Sequence, residues 1–125
     1  MRLNPDCVRD ILLRIEACTN LDTIWSYEAD NEDDGPLACY SLDEILYHVR
    51  QCDLSGYLVN AHCYESSCDA DYLSPAGHAF LADVRSDTVW NHTKTIAGKI
   101  GAWSMDTLSK IAGAVIAEII KKQLD

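Results

Sequence analysis

The chain has 125 residues and a mass of 13.9 kDa, which suits one domain with a short appendage and leaves too little for two full cores. Apolar residues make up 48% and charged residues 24%, which excludes collagen-like, low-complexity and wholly disordered chains. Ten Lys and Arg stand against 20 Asp and Glu, a formal net charge of -10. That balance argues against a free-standing binder of nucleic-acid backbone, which needs surplus cations.

Charges at Arg2, Asp6, Arg9 and Asp10 interrupt the N-terminal stretch, so it holds no secretory-type apolar core. No run reaches the roughly 18 apolar residues of a spanning helix. The expected location is therefore the cytoplasm. The six cysteines (Cys7, Cys18, Cys39, Cys52, Cys63 and Cys68) are then expected as reduced, mostly buried thiols rather than as a disulfide framework.

In chain order, Asn4 is a good N-cap, Pro5 fits the first helical position, and Val8, Ile11, Leu12 and Ile15 recur on one helical face. This predicts a helix ending near Cys18. Leu21 to Tyr27 is a short β-prone run. Residues 28–36 are acidic, hold no large apolar residue and end in Gly-Pro, so they form a solvated loop. Ser41 and Glu44 make a capping box for a helix over Ser41–Cys52, with Ile45, Leu46, Val49 and Cys52 as its buried stripe. Gly56 supplies its stop. Tyr57–Cys63 and Cys68–Leu73 read as the two strands of a β-hairpin. Ser74-Pro75 starts a further helix that runs to about Ser86, Asp87–Lys99 is helical, and a last helix spans Met105–Gln123.

The predicted class is α+β, mainly α. A capped helix feeding a hairpin, after an N-terminal helix and a short strand, is the order of a winged helix-turn-helix. The Ser41–Cys52 helix takes the recognition position and residues 57–73 the wing. The expected domains are a winged-helix unit over 1–86 and a helical extension over 87–125.

The segments LNPDCVRDILLRIE, YSLDEILYHVRQCDLSGYL and LSPAGHAFLADVRSDTVWNHTK are similar to a family of small phage and prophage proteins that is known as a domain of unknown function. The resemblance covers most of the chain and departs from the family at Asp30–Asp34 and in the cysteine-containing wing. It implies a winged-helix fold with a helical C-terminal extension and a bacterial host cell. It implies no reaction.

The charge is concentrated. Residues 28–77 carry eleven acids and the single cation Arg50, a net of -10, while the segments before and after nearly balance. A winged helix that reads DNA places Arg or Lys on its recognition helix and wing. The outward positions predicted here are Asp43, Glu44, Tyr47, His48, Arg50 and Gln51. Such a surface repels phosphate and attracts a basic protein groove. The candidate partner-binding residues are Asp30, Glu32, Asp33, Asp34, Asp43, Glu44, Tyr47, His48 and Gln51. The expected partner is a host protein with a basic surface, of the kind an inhibitor of a nucleic-acid-handling defence enzyme (the anti-CRISPR type) would occupy. The alternative is a DNA-binding regulator, an inference from fold alone. The bland alternative is that the acids only keep the protein soluble.

No catalytic constellation is present. The four histidines are scattered, and the chain has no Gly-rich phosphate loop, G-x-S-x-G or H-E-x-x-H. Cys63-x4-Cys68 with His62 and His78 offers at most half a zinc site, without the usual C-x2-C knuckle. Asp30-x-Glu32-x-Asp34-Gly35 resembles the start of a calcium loop, but its twelfth position is Ser41, which cannot bind. No metal, cofactor or enzymatic activity is expected. The last helix carries a broad apolar stripe, and Leu108, Ile111, Val115, Ile116 and Ile119 are candidate dimerisation residues. Gly113 and Ala117 would permit close helix approach.

Overall fold

Asn4 opens the first helix. Its Oδ1 accepts the backbone N–H groups of Asp6 and Cys7 at 3.1 and 3.4 Å, two of the donors that every helix start leaves unpaired. With Pro5 at the first helical position, α1 (Pro5–Cys18) buries Cys7, Val8, Ile11, Leu12 and Ile15. The structure is a computed structural model that describes residues 1–29 and 35–124. Apart from the first three residues, it divides into units of 4–79 and 80–125, ahead of the 86/87 boundary read from the sequence.

In the 4–79 unit, α1 stops where side chains capture its last turn. Thr19 Oγ1 donates to the Ile15 carbonyl at 2.7 Å, and Asn20 Oδ1 accepts the N–H groups of Asp22 and Thr23 at 2.8 and 2.9 Å. This Asx turn delays the strand. β1 covers Trp25–Glu28, and Leu21 and Ile24, read from the sequence as part of the strand, are exposed in the turn. Trp25 and Tyr27 then point into the core while Ser26 and Glu28 point out.

A 3-10 helix, Gly35–Cys39, buries Leu37, and the Tyr40 hydroxyl donates to Asp10 Oδ2 on α1 at 2.7 Å. The capping box forms as the sequence predicts. Ser41 Oγ accepts the Glu44 N–H and Glu44 Oε1 accepts the Ser41 N–H, both at 3.2 Å. The helix it starts, α2 (Leu42–Leu54), packs Ile45, His48, Val49 and Cys52 in the core, against α1.

The hairpin keeps one register throughout. Leu58 and Val59 (β2, Leu58–Val59) face Leu73 and Tyr72 (β5, Tyr72–Leu73). His62 and Cys63 (β3, His62–Cys63) face Asp69 and Cys68 of β4 (Ser67–Ala70). The ladder breaks in the middle, where Asn60 takes a left-handed φ of 52° and its amide donates to Asp71 Oδ2 at 3.0 Å. β1 lies antiparallel to β4, giving the sheet order β1-β4-β3. Below the hairpin, Gly56 (φ 78°) turns the chain out of α2, and the Tyr57 carbonyl accepts the Ser74 N–H at 2.9 Å. Gly77, in α3 (Pro75–Val84), packs so closely on that carbonyl that any Cβ there would collide with it.

In the 80–125 unit, the Ser86 hydroxyl caps α4 (Asp87–Ile100), accepting the Val89 N–H at 3.3 Å, and Gly101 ends it at a left-handed φ of 69°. Ser104 caps α5 (Met105–Leu124) by accepting the Thr107 N–H at 3.1 Å. The two helices fold back as an αα-hairpin, the most extensive packing of any element pair. Val89, Trp90, Thr93 and Ala97 on α4, and Leu108, Ala112 and Val115 on α5, are buried. The buried Thr93 hydroxyl is satisfied by the Val89 carbonyl at 2.7 Å. Here the structure corrects the dimerisation set. Leu108 and Val115 lie inside their own unit, because the inner face of α5 is covered by the chain itself. Ile111 and Ile116 are half-buried, and Ile119 is exposed.

Two substitutions separate cap from close packing. Ser41→Ala removes one capping bond and is expected to cost about 1 kcal/mol. Gly77→Ala forces the Tyr57 backbone to move and is expected to cost more, by roughly 1–3 kcal/mol as for other overpacked sites. Urea midpoints at a common slope rank the two.

Candidate functional site

α2 presents one long face to solvent because its other stripe is locked to α1. Asp43 and Arg50 on this face are exposed, Tyr47 and Gln51 half-buried. At its C-terminal end the face meets the hairpin. A hollow of about 350 Å³ is lined there by Arg50, Asp53, Leu54, His62, Cys63 and Tyr64.

The pleat sorts the hairpin side chains onto two faces. On the outer face, His62 Nδ1 lies 3.0 Å from Asp69 Oδ1 across the strands, and the His62 ring stacks near Tyr64 with centroids 6.4 Å apart. On the inner face, Cys63 sits opposite the buried Cys68, and its thiol reaches the Leu46 carbonyl of α2 at 3.9 Å. Burial pushes the Cys63 thiol up, while the Arg50 guanidinium beside it pulls the other way. The chain tightens at the tip, where Tyr64 donates its N–H to Ser67 at 2.8 Å.

Comparison with known proteins places these features in a family. Residues 2–103 match the family described as "Hypothetical protein (DUF2513)". The chain belongs to the DUF2513 family. An uncharacterized protein of Haemophilus influenzae is 30% identical over 125 residues, spanning 96% of this chain and 99% of its own length. No solved structure matches. In this DUF2513 member the matched residues include all of the α2–hairpin face and α4, and end before α5 begins at Met105.

Of the residues expected to bind a partner, Asp43, Tyr47 and Gln51 share the α2 face. Glu44 shares it in part, since its carboxylate closes the capping box. Asp30, Glu32, Asp33 and Asp34 lie outside the described residues, as does most of the calcium-like pattern. His48 is the correction. It was expected to point outward, yet it is 1% exposed. Its Nε2 accepts the Asn4 N–H at 2.8 Å, so the proton sits on Nδ1 and is donated to the Glu44 carbonyl at 2.7 Å. Both ring nitrogens are thereby used inside the core.

The sequence reading missed the cross-strand His62–Asp69 contact. Its signal was present, because the two residues stand at equal distance from the Tyr64–Ser67 turn and so face each other in any tight hairpin. The Cys63, Cys68, His62 and His78 set, which the sequence offers as at most half a zinc site, does not converge. His62 and Cys63 are consecutive on a strand and point to opposite faces, and His78 lies 3.8 Å from Glu16. Among the described residues, no group of three or more His, Cys, Asp or Glu side chains is placed to hold a metal ion.

All six cysteines are free thiols in this DUF2513 member, in very different settings. Burial, with the nearby Glu44 and Asp10 charges, pushes Cys7 up to about 12, and burial likewise raises Cys52. Cys39 is exposed. Alkylation of the native protein at neutral pH is expected to label Cys39 first and to spare Cys7, Cys52 and Cys68 until urea unfolds the chain, as peptide mass mapping would show. The raised thiols also set an alkaline limit. Unfolded thiols lose their protons near the ordinary 9.0, while folded Cys7 keeps its proton to about 12, so stability falls as pH rises through that window. Urea midpoints measured at pH 8 and pH 10.5 test the sign.

Proposed function

We propose that this DUF2513 protein is a non-catalytic interaction module of winged-helix architecture whose acidic face binds a basic surface on a host protein. The observation that carries the proposal is the charge of the face formed by α2 and the hairpin. A DNA-reading winged helix would array cations there, whereas this one exposes Asp43, Asp53 and Glu65, with Asp69 and Asp71 half-buried, around the one cation Arg50. Fold support comes from the element order. A helix, an edge strand beside the second hairpin strand, a short 3-10 turn, a capped helix and a hairpin follow one another as in winged helices.

In its most concrete form, the protein is of phage origin and acts in the cytoplasm of a bacterial host. It inhibits a nucleic-acid-handling defence enzyme, of the anti-CRISPR kind, by filling the groove that otherwise takes nucleic acid. Such grooves are lined by Lys and Arg, and complementary charge speeds encounter and fixes register. A membrane partner is not part of this proposal, since among the described residues no helix is long and apolar enough to cross a membrane. A second reading, a DNA-binding regulator, is favoured by Arg50, His62 and Tyr64 lining one hollow between α2 and the hairpin. A cation, an imidazole and an aromatic ring can together meet a phosphate and a base.

Salt and charge reversal test the proposal. Attraction between exposed charges is screened within about 8 Å at physiological ionic strength, so proteins captured from host lysate at low salt are expected to be released as salt rises. Asp43→Lys is expected to weaken capture by roughly fivefold, about 1 kcal/mol, and to lower the urea midpoint slightly, because Asp43 lies in the first turn of α2, where an acid complements the helix dipole. Glu44→Gln, which keeps the capping geometry, is the matched control for fold. Capture that is insensitive to both salt and Asp43→Lys would reject the acidic face. Micromolar binding of duplex DNA that disappears in Arg50→Ala would favour the regulator.

A further inference from the structure

The hairpin sets Cys63 and Cys68 directly opposite each other. Both point to the inner face, where Cys68 is 1% exposed and Cys63 is half-buried. The turn fixes the kind of pair they make. Tyr64 donates its N–H to the Ser67 carbonyl at 2.8 Å, so residues 64 and 67 form a hydrogen-bonded pair. Along an antiparallel ladder such pairs alternate with pairs that share no hydrogen bond, and the next pair is Cys63 with Cys68. Partners of that second kind bring their Cα atoms to about 4.5 Å and their side chains closest together. A disulfide spans roughly 4.4–6.8 Å between Cα atoms, so this pair is within its reach. Cys7, Cys18, Cys39 and Cys52 lie on α1, the 3-10 helix and α2, where no ladder sets one against another.

We propose that Cys63 and Cys68 are a redox modification site, closed into a reversible cross-strand disulfide by a low-molecular-weight disulfide such as oxidised glutathione. The two thiols differ in access. Cys63 borders the hollow between α2 and the hairpin, whereas Cys68 is covered. Cys63 therefore reacts first. It loses its proton, and its sulfur attacks one sulfur of oxidised glutathione. The glutathione S–S bond breaks, and one glutathione leaves as a thiolate that takes up a proton. Cys68 then loses its proton, attacks the Cys63 sulfur of the mixed disulfide and expels the second glutathione, which is protonated in turn. Two protein thiols are oxidised, one glutathione disulfide is reduced to two thiols, and no other reactant enters. The Arg50 guanidinium beside Cys63 favours the thiolate that the first step needs.

The new bond exchanges one contact for another. In the reduced protein the Cys63 thiol reaches the Leu46 carbonyl on α2 at 3.9 Å. Bonded to Cys68, its sulfur has no proton to donate, so that link from hairpin to α2 is lost and the hairpin is cross-linked within itself. The loop so closed holds only residues 64–67, and a short loop constrains the unfolded chain less than a long one. The bond therefore reopens as reductant returns, in keeping with a compartment where disulfides are transient. The proposal does not depend on the acidic face binding a partner.

The test is to equilibrate the full chain in glutathione buffers of graded oxidised-to-reduced ratio, then to quench with acid, alkylate and map by mass. Glu65 stands between the two cysteines. Cleavage there by a glutamate-specific protease leaves two pieces that stay together only when Cys63 and Cys68 are joined. The joined species, lighter by two hydrogens, is expected in oxidising buffers and is expected to disappear when reduced glutathione is restored. Two variants check the order of events, with far-ultraviolet circular dichroism as the control for folding. Cys68→Ala is expected to stop with glutathione held on Cys63. Cys63→Ser, at a half-buried position, is expected to leave Cys68 unmodified and to abolish the joined species, and it decides alone if Cys68→Ala does not fold. Cys63 and Cys68 both reduced in the most oxidising buffer, after exposed Cys39 has reacted, overturns the proposal. So does Cys63 joined to a cysteine other than Cys68, or glutathione on Cys68 in folded Cys63→Ser.

Discussion

Asn4 is used twice, and the 4–79 unit depends on the combination. Its side chain caps α1 through the Asp6 and Cys7 amides, while its own N–H donates to buried His48 on α2. The start of the first helix is thus fixed to the middle of the second across 44 residues of chain. A buried backbone donor without a partner costs roughly 1–3 kcal/mol, so this contact also decides which way α2 rotates. With His48 turned in, Asp43, Tyr47 and Arg50 are turned out, and the character of the exposed face follows from that rotation.

The same logic explains what the sequence made legible. Helix starts were readable because their causes are local. Asn4-Pro5, Ser41-x-x-Glu44 and Ser74-Pro75 each satisfy nearby backbone donors, whatever the rest of the chain does. The hairpin was readable for a similar reason, since two β-prone runs flanked a short polar turn. His48 was not readable, because a histidine on an amphipathic helix satisfies the pattern in either orientation. Its choice depended on a free N–H far away in sequence. The late start of β1 was hidden too, because Leu21 and Ile24 look like strand residues until Asn20 draws the Asp22 and Thr23 amides into a turn. On α5, the periodic stripe identified apolar positions correctly but could not say which already had a partner within the chain. Leu108 did, and Ile119 did not.

The hairpin shows how a two-residue period turns composition into chemistry. A stretch with two cysteines, a histidine and several acids looks like a metal site when read as a list. Folded, the thiols go to one face and His62 with Asp69 to the other. Cys68 then serves as a small core residue, as free cysteines commonly do. The outer face keeps a polar pair at the edge of a hollow. A polar outer surface and a core element are thereby built from the same nine residues, 62–70, without competing for them.

Arg50 decides how that outer surface is sensed at a distance. It is the one cation among residues 28–77, and it borders a hollow that also contains Asp53. Its guanidinium lies beside the Cys63 thiol rather than extending alone into solvent. One positive charge so placed can orient a ligand once in contact, but it cannot reverse the sign of the field set by the surrounding carboxylates. The long-range field and the short-range polar contacts of this face therefore come from different residues. In the function proposed above, the acids would draw a cationic partner during approach, and Arg50, His62 and Tyr64 would supply the hydrogen bonds and ring surface that discriminate among such partners on contact.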